Sequence, residues 1–292
     1  MTFSQDNTPN LQEVRALLAK IEPARHISCA GRDVAAALPV SFDGRNVLEW
    51  LSGWQSGGEP ALSHPRVAIF ASTQGCAAGR EMDVILNVRA VIEATSPLYH
   101  LGTVCDADLR VYEMLPEQPT NDFRDEPAMS DADCAHGCAY GMMAVEQDMS
   151  ALCLGAFSNG TDMMAEVMAV ALFESDEDAF DVLARYGGRE TAAMVGAILA
   201  ARLAKMPVFI SGLNGLVAMA VLFKAQPEAI DHCLLCDAPD SDVARLFRHK
   251  MDVVPLMNLA SADLEPLGAM LGLQMLQTLL ATTEAFAAEK AA

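Results

Sequence analysis

Short apolar runs alternate with amphipathic stretches along most of the chain. The first run, residues 67–71 (VAIFA), is continuous, as is typical of a strand buried on both faces. Further strands are predicted at residues 109–112, 151–154, 207–210, 232–236 and 253–259. Helical spacing of apolar residues predicts helices at residues 83–94, 130–149, 177–186, 189–205, 215–224, 240–250 and 266–289, and another that begins at Thr161. This alternation predicts an α/β fold, a Rossmann-like parallel sheet flanked by helices on both faces.

The N-terminal part of the chain has a different pattern. Residues 12–21 and 47–54 predict two amphipathic helices, and residues 56–60 (SGGEP) interrupt the second one. We therefore expect a helical segment over residues 1–66, followed by an α/β domain over residues 67–260 and a C-terminal helical segment over residues 261–292.

Charge excludes some classes of partner. The chain has 292 residues, with 19 Lys and Arg against 39 Asp and Glu, a net charge of −20. Such an excess of acidic groups argues against binding to nucleic acid and against docking on an anionic membrane. The first residues lack a signal-peptide pattern, and the apolar runs fall short of the ~20 residues that span a bilayer. We therefore expect a cytoplasmic protein with reduced thiols.

The turns that follow the predicted strands are where a ligand is expected, because parallel α/β sheets bind ligands beyond the carboxyl ends of their strands. The turn over residues 155–161 (GAFSNGT) opens a helix, and its N–H groups could hold a phosphate. A tight connection without a ligand is the alternative. Arg185, before Gly187 and Gly188, suits a phosphate as well, although a Gly pair is also an ordinary helix end.

Two other features have both a chemical and a structural interpretation. Cys233 and Cys236 form a CxxC motif, but no second motif supplies further ligands, so buried free thiols are favoured over a metal or redox site. Glu265 lies at a predicted strand-to-helix junction. A carboxylate there is either a general base or a residue favoured by the helix dipole.

One block of the sequence resembles a known family. Residues 181–222 (DVLARYGGRETAAMVGAILAARLAKMPVFISGLNGLVAMAVL) are similar to the middle of nicotinate-nucleotide–dimethylbenzimidazole phosphoribosyltransferases, which typically read LAxxGGxE and then PVLLDG. Other segments follow in the family's order, at residues 67–75, 126–130, 154–162, 254–256 and 264–269. The resemblance covers roughly residues 40–290.

The resemblance implies a reaction and a set of site residues. The family transfers the phosphoribosyl group of nicotinate mononucleotide to 5,6-dimethylbenzimidazole in cobalamin synthesis, as a homodimer without a metal or cofactor. It also implies a small helical domain built from both chain ends. The general base falls on Glu265. The nucleotide-binding positions fall on Gly155, Ser158, Gly160, Thr161, Arg185, Gly187, Gly188 and Ser241. The base-pocket positions fall on Thr73, Gln74 and Leu264.

The chain also departs from the family pattern. Thr73-Gln74-Gly75 stands where the family has DHG, residues 155–163 (GAFSNGTDM) replace GEMGIGNTT, and Ala262 replaces an Arg. Two alternatives therefore stay open. One is a catalytically impaired nucleotide-binding or partner subunit, and the other is a transferase with a different acceptor.

Overall fold

The chain folds around a five-stranded parallel sheet with the strand order β2-β1-β3-β4-β5. A computed structural model describes residues 9–22, 44–55, 60–259 and 264–291. The strands are β1 Pro65–Ala71, β2 Asp108–Glu113, β3 Ala151–Phe157, β4 Val208–Ser211 and β5 Cys233–Asp237. The predicted fold class is confirmed.

Helices cover both faces of this sheet. They are α1 Leu11–Leu18, α2 Gly44–Trp54, α3 Glu81–Ile92, α4 Pro97–Val104, α5 Asp131–Met142, α6 Thr161–Glu174, α7 Ala179–Tyr186, α8 Arg189–Ala204, α9 Gly212–Ala225, α10 Asp242–Met251 and α11 Leu267–Ala291. Within the described residues, no helix is both long and apolar enough to cross a membrane.

The sheet divides the hydrophobic core into two clusters, because side chains along each strand point alternately to its two faces. Val67 and Ile69 of β1 pack with helices α2, α3, α4 and α11, whereas Ala68 and Phe70 pack with α1 and with α5 to α10. Successive strand residues point to opposite faces, so a continuous apolar strand serves both clusters. The proposed small helical domain stays a prediction. Helices α2 and α11 do share one cluster, which also includes sheet residues.

The strand order fixes where a ligand is expected. The chain passes from β1 to β2 on one side and then returns to β3 on the other. The carboxyl ends of β1 and β3 therefore border the point where the direction of winding reverses, and ligands bind there in open α/β sheets. The turns after these two strands are residues 72–80 and residues 158–160.

Several predicted boundaries were wrong. Strand β3 continues through Phe157, so Gly155 lies inside the strand and the turn is shorter than predicted. The helix predicted to reach Met149 ends at Met142, and the carbonyl of Ala144 instead accepts a hydrogen bond from Arg66. Helix α4 was missed, although Ser96 caps it and Pro97 begins it, as helix starts often do.

The strand predicted at residues 253–259 does not form. Leu256 and Met257 donate backbone hydrogen bonds to carbonyl groups of β5 over 2.8 and 2.9 Å. The next hydrogen bond is different, because the Leu259 N–H binds the Asp237 side chain and not a backbone carbonyl. Pro255 also lacks an N–H group, so a regular ladder cannot extend along this segment.

Candidate active site

The carboxyl group of Glu265 is buried beside the N-terminus of α9. Its side chain is 7% exposed, and Oε1 accepts a hydrogen bond from the Asn214 backbone N–H over 3.1 Å. The other oxygen, Oε2, is buried and has no hydrogen-bond partner among the described residues. One oxygen is therefore held in place, and the other is available to bind or remove a proton.

Burial dominates the electrostatics of this carboxyl group. Burial raises the pKa of Glu265 to about 7, because the anion loses its hydration. The amide groups of Asn214 and the backbone N–H groups of Ala156 and Leu213 lower the same pKa, but by less than burial raises it. The N-terminus of α9 also favours the anion. The result is a carboxyl group that exchanges its proton near neutral pH.

Two glycines make room for Glu265 and the proline that follows it. Gly212 has a left-handed φ of 80°, and a Cβ at this position would overlap the carboxyl group of Glu265. Gly155 lies against Pro266, where a Cβ would come within 2.6 Å of the proline ring. The resemblance implied a nucleotide-binding role for Gly155. The contacts of the two glycines explain why a larger side chain at either position would displace the candidate base.

The side chain of Asn214 connects Glu265 with the turn after β3. Its Nδ2 lies 3.2 Å from Ser158 Oγ and 3.3 Å from Thr161 Oγ1, and these hydroxyls lie 2.9 Å apart. Gly160, with a left-handed φ of 85°, precedes α6 and provides no side-chain cap. The N-terminus of α6 thus presents N–H groups and two hydroxyls close to the candidate base, which suits a phosphate.

A second buried carboxyl group, that of Glu190, lies near the carboxyl end of β1 and binds Gln74. Glu190 is fully buried in the first turn of α8, and its Oε1 accepts from Gln74 Nε2 over 2.6 Å. Burial raises the pKa of Glu190, and the hydrogen bond from Gln74 acts in the opposite direction. Gly188 allows this position, because a Cβ there would overlap the carboxyl group.

The turn after β1 is fixed by a neighbouring loop. Thr73 Oγ1 donates to the Pro116 carbonyl over 2.6 Å, and the Gly75 N–H donates to Thr120 Oγ1 over 3.0 Å. A Cβ on Gly75 would overlap the backbone of Asn121. Thr73 and Gln74 therefore keep fixed positions at the carboxyl end of β1.

The remaining predicted residues lie outside this hydrogen-bonded group. Arg185 is exposed at the end of α7, and its guanidinium makes no hydrogen bond or ion pair with another described residue. Gly187 ends the same helix, and Ser241 caps α10 after β5. Leu264, partly buried, immediately precedes Glu265. In the described part of the chain, no cluster of His, Cys, Asp or Glu is arranged to hold a metal ion.

The sequence analysis missed two residues of the site, Asn214 and Glu190. Both are buried polar residues: Asn214 interrupts a small and apolar stretch, and Glu190 lies between Arg189 and Thr191 at the start of the small-residue helix α8. A buried polar residue in such a context usually has a specific partner. That signal could have marked both positions, but it could not have identified Glu265 and Gln74 as their partners.

Comparisons with known proteins agree with this architecture. The DBI_PRT family model, described as phosphoribosyltransferase, matches residues 45–177 and 163–292. The nicotinate-nucleotide–dimethylbenzimidazole phosphoribosyltransferase of Brucella anthropi is 32% identical over 281 aligned residues, covering 82% of this chain and 83% of that protein. The Brucella melitensis protein of the same name is 31% identical with the same coverage. The crystal structure of the enzyme so named from Thermus thermophilus shares the fold, with a TM-score of 0.74, 16% identity and 94% coverage of both chains.

Proposed function

Since the chain belongs to the family of phosphoribosyltransferases that includes these relatives, we propose that it transfers the phosphoribosyl group of nicotinate mononucleotide to an aromatic base such as 5,6-dimethylbenzimidazole. This reaction would supply the lower-ligand nucleotide of cobalamin. The observation that carries the proposal is the buried carboxyl group of Glu265, which has one oxygen without a hydrogen-bond partner in the described part of the chain and exchanges its proton near neutral pH.

Glu265 acts as the general base in the proposed reaction. Its carboxylate takes the N–H proton of the benzimidazole while the other ring nitrogen forms a bond to the anomeric carbon of the ribose. The bond between that carbon and the pyridinium nitrogen breaks, and its electron pair neutralises the leaving nicotinate ring. A base is most effective when its pKa lies near the working pH, which is the case for a pKa of about 7.

The nucleotide binds beside the turn that precedes α6. The N–H groups of Gly160 and Thr161, together with the Ser158 hydroxyl, hold the phosphate at the helix N-terminus. Gly155 supports the same turn from inside β3, and Gly187, Gly188 and Ser241 complete the nucleotide side, as the resemblance implies. Arg185 supplies a cation that is not engaged by any described carboxylate, in a chain with few basic residues.

The aromatic base binds near Thr73, Gln74 and Leu264. A different acceptor is the second candidate, and the observation that favours it is the engagement of the polar groups in this pocket. The Thr73 hydroxyl binds the carbonyl of Pro116, and the Gln74 amide binds Glu190. These two residues stand where the family has the Asp and His of DHG, and neither Thr nor Gln is an acid or a base near neutral pH. A panel of benzimidazoles, purines and phenols, with the mass of each product measured, distinguishes the candidates.

Substitution of the base tests the proposed reaction. Glu265→Gln retains the shape and a hydrogen-bond acceptor for Asn214 but cannot take a proton. We expect formation of the α-ribazole phosphate product to fall by about 10²- to 10⁴-fold, the usual contribution of a general base. Undiminished turnover by this variant would remove Glu265 from the mechanism.

Nucleotide binding separates the enzyme from an impaired subunit. Calorimetry with nicotinate mononucleotide measures affinity without requiring turnover. Tight binding together with turnover of the purified chain supports the enzyme, whereas tight binding without turnover on any acceptor supports a nucleotide-binding partner subunit.

We also expect two copies of the chain to associate, as the resemblance implies, and light scattering of the purified protein measures this directly.

A further inference from the structure

A buried side-chain pair joins the turn after β1 to the first turn of α8. Gln74 Nε2 donates to Glu190 Oε1 over 2.6 Å, and the two residues are 116 positions apart in the chain. Gln74 is 2% exposed and Glu190 is not exposed at all. A short hydrogen bond between two buried side chains holds both partners in one orientation.

This pair determines which atom of the Gln74 amide faces the turn before α6. Because Nε2 points to Glu190, the carbonyl Oε1 points away from it and lies 3.8 Å from Cys76 Sγ. A Cβ on Gly160 would lie 3.3 Å from the same oxygen. Cys76 Sγ also lies 3.8 Å from the Gly160 carbonyl. The Gln74 amide is thus packed directly against the residue that precedes α6.

The Ser72 hydroxyl and the backbone N–H of Glu190 also lower the pKa of this carboxyl group, but by less than the hydrogen bond from Gln74 does. Glu190 Oε2 has no hydrogen-bond partner among the described residues, and neither has the buried hydroxyl of Thr191. A buried carboxyl group with one satisfied oxygen costs stability, since an apolar residue of similar size would avoid the loss of hydration. The retained contact is the one with Gln74.

We propose that Glu190 is a positioning residue for nucleotide binding: by holding the Gln74 amide, it fixes the Gly160 backbone where the phosphate binds. The inference rests on the proposed function and adds a residue to its nucleotide side. Without Glu190, the Gln74 amide would rotate, and Gly160 would lose a fixed packing partner. The N–H groups at the start of α6 would then no longer be preorganised around the phosphate.

Calorimetry with nicotinate mononucleotide tests the proposal on the full-length chain. Glu190→Leu is similar in size but cannot accept from Gln74, so we expect the Kd to rise about tenfold, the usual effect of leaving a buried donor unpaired. Glu190→Gln keeps an acceptor oxygen and should retain a Kd close to that of the wild type. Thr191→Val, the next residue of the same helix, is the matched control and should also leave the Kd unchanged.

Steady-state kinetics separates positioning from a general loss of structure. The KM for the nucleotide should rise in Glu190→Leu, while the pH dependence of kcat should stay as in the wild type because it belongs to Glu265. Should Glu190→Leu fail to fold, the exchange of the pair gives a second test. Gln74→Glu alone places two carboxyl groups against each other and should weaken binding, and the added Glu190→Gln should restore it.

The outcomes distinguish the two proposals. A Glu190→Leu variant that binds the nucleotide as tightly as the wild type overturns the positioning role, as does an exchanged pair that binds no better than Gln74→Glu alone. A wild-type chain that binds the nucleotide but transfers nothing refutes the proposed reaction and leaves the comparison of Kd values in force. A wild-type chain that does not bind the nucleotide overturns both.

Discussion

Replacing Glu265 by Gln should stabilise the protein, and the gain should depend on pH. The perturbation removes a buried group whose charged form is unfavourable in the folded state. The amide can still accept the hydrogen bond that the Asn214 N–H donates to Oε1. The substitution therefore removes the titration of this side chain and retains most of its packing.

The magnitude follows from the pKa of Glu265, which rises from 4.5 in its reference state to about 7 in the folded protein. Between these values the folded state keeps a proton that the unfolded state releases, so wild-type stability falls as the pH rises. At 1.36 kcal/mol per pKa unit, the loss approaches about 3 kcal/mol and is complete above the folded pKa. Gln does not titrate, so the stability of the variant relative to the wild type should increase by that amount between about pH 4.5 and pH 8.

Urea unfolding at several pH values measures this difference. The raised pKa of Glu190 affects wild type and variant alike, so its contribution cancels in the comparison. Glu93→Gln, at an exposed position beyond α3, is the control and should follow the wild type at every pH. If the free energies of unfolding of Glu265→Gln and wild type change in parallel from pH 5 to pH 8, then the pKa of Glu265 is not raised in the folded state, and the argument for a tuned base fails.

Three further predictions concern the base, its space and the opposite end of the sheet. The kcat/KM should increase as the pH rises through about 7, because the base of the free enzyme acts only when deprotonated. Initial rates at limiting substrate between pH 5.5 and 8.5 check this. Gly212→Ala should displace the carboxyl group and lower kcat by about 100-fold, whereas Gly53→Ala, with open space at its Cβ, should retain activity and stabilise α2 by roughly 0.5–1 kcal/mol. Arg66→Met should lower the free energy of urea unfolding by about 2 kcal/mol and leave the KM for the nucleotide unchanged, because the buried guanidinium binds Asp108 and Glu146 over 2.8 Å.

Local patterns along the chain predicted the five strands of the sheet, but they also predicted a sixth strand that does not form. Continuous apolar runs identified β1, β3 and β4 because these strands are buried on both faces. The edge strands β2 and β5 were also predicted, although β2 includes Arg110 and is partly exposed. The same rule failed at residues 253–259, where an apolar run lies beside β5 but forms only two backbone hydrogen bonds with it. This run is not buried, because Val254 is 83% exposed and Leu259 is 53% exposed, so apolar residue types alone predicted neither burial nor a strand.

The sequence predicted only part of the candidate site, because motifs are local and some of the site's contacts are not. The motif resemblance selected Glu265 and the glycines around it, because a motif preserves residue types at fixed spacing. The LAxxGGxE motif includes Glu190 as a residue type, but the resemblance gave no role to Glu190 or Asn214, whose partners are 116 and 51 positions away. Contacts of this kind depend on which helices and strands become neighbours in the folded chain.

The sequence by itself determined the class of fold, the family and the identity of the candidate base, because hydrophobic spacing and short motifs are local properties. The tertiary structure alone decided the chemistry of that base. Burial against Gly212, beside the N-terminus of α9, raises the pKa of Glu265 to about 7. Loss of hydration and the direction of a helix dipole arise only when distant segments pack together, so no pattern along the chain contains them.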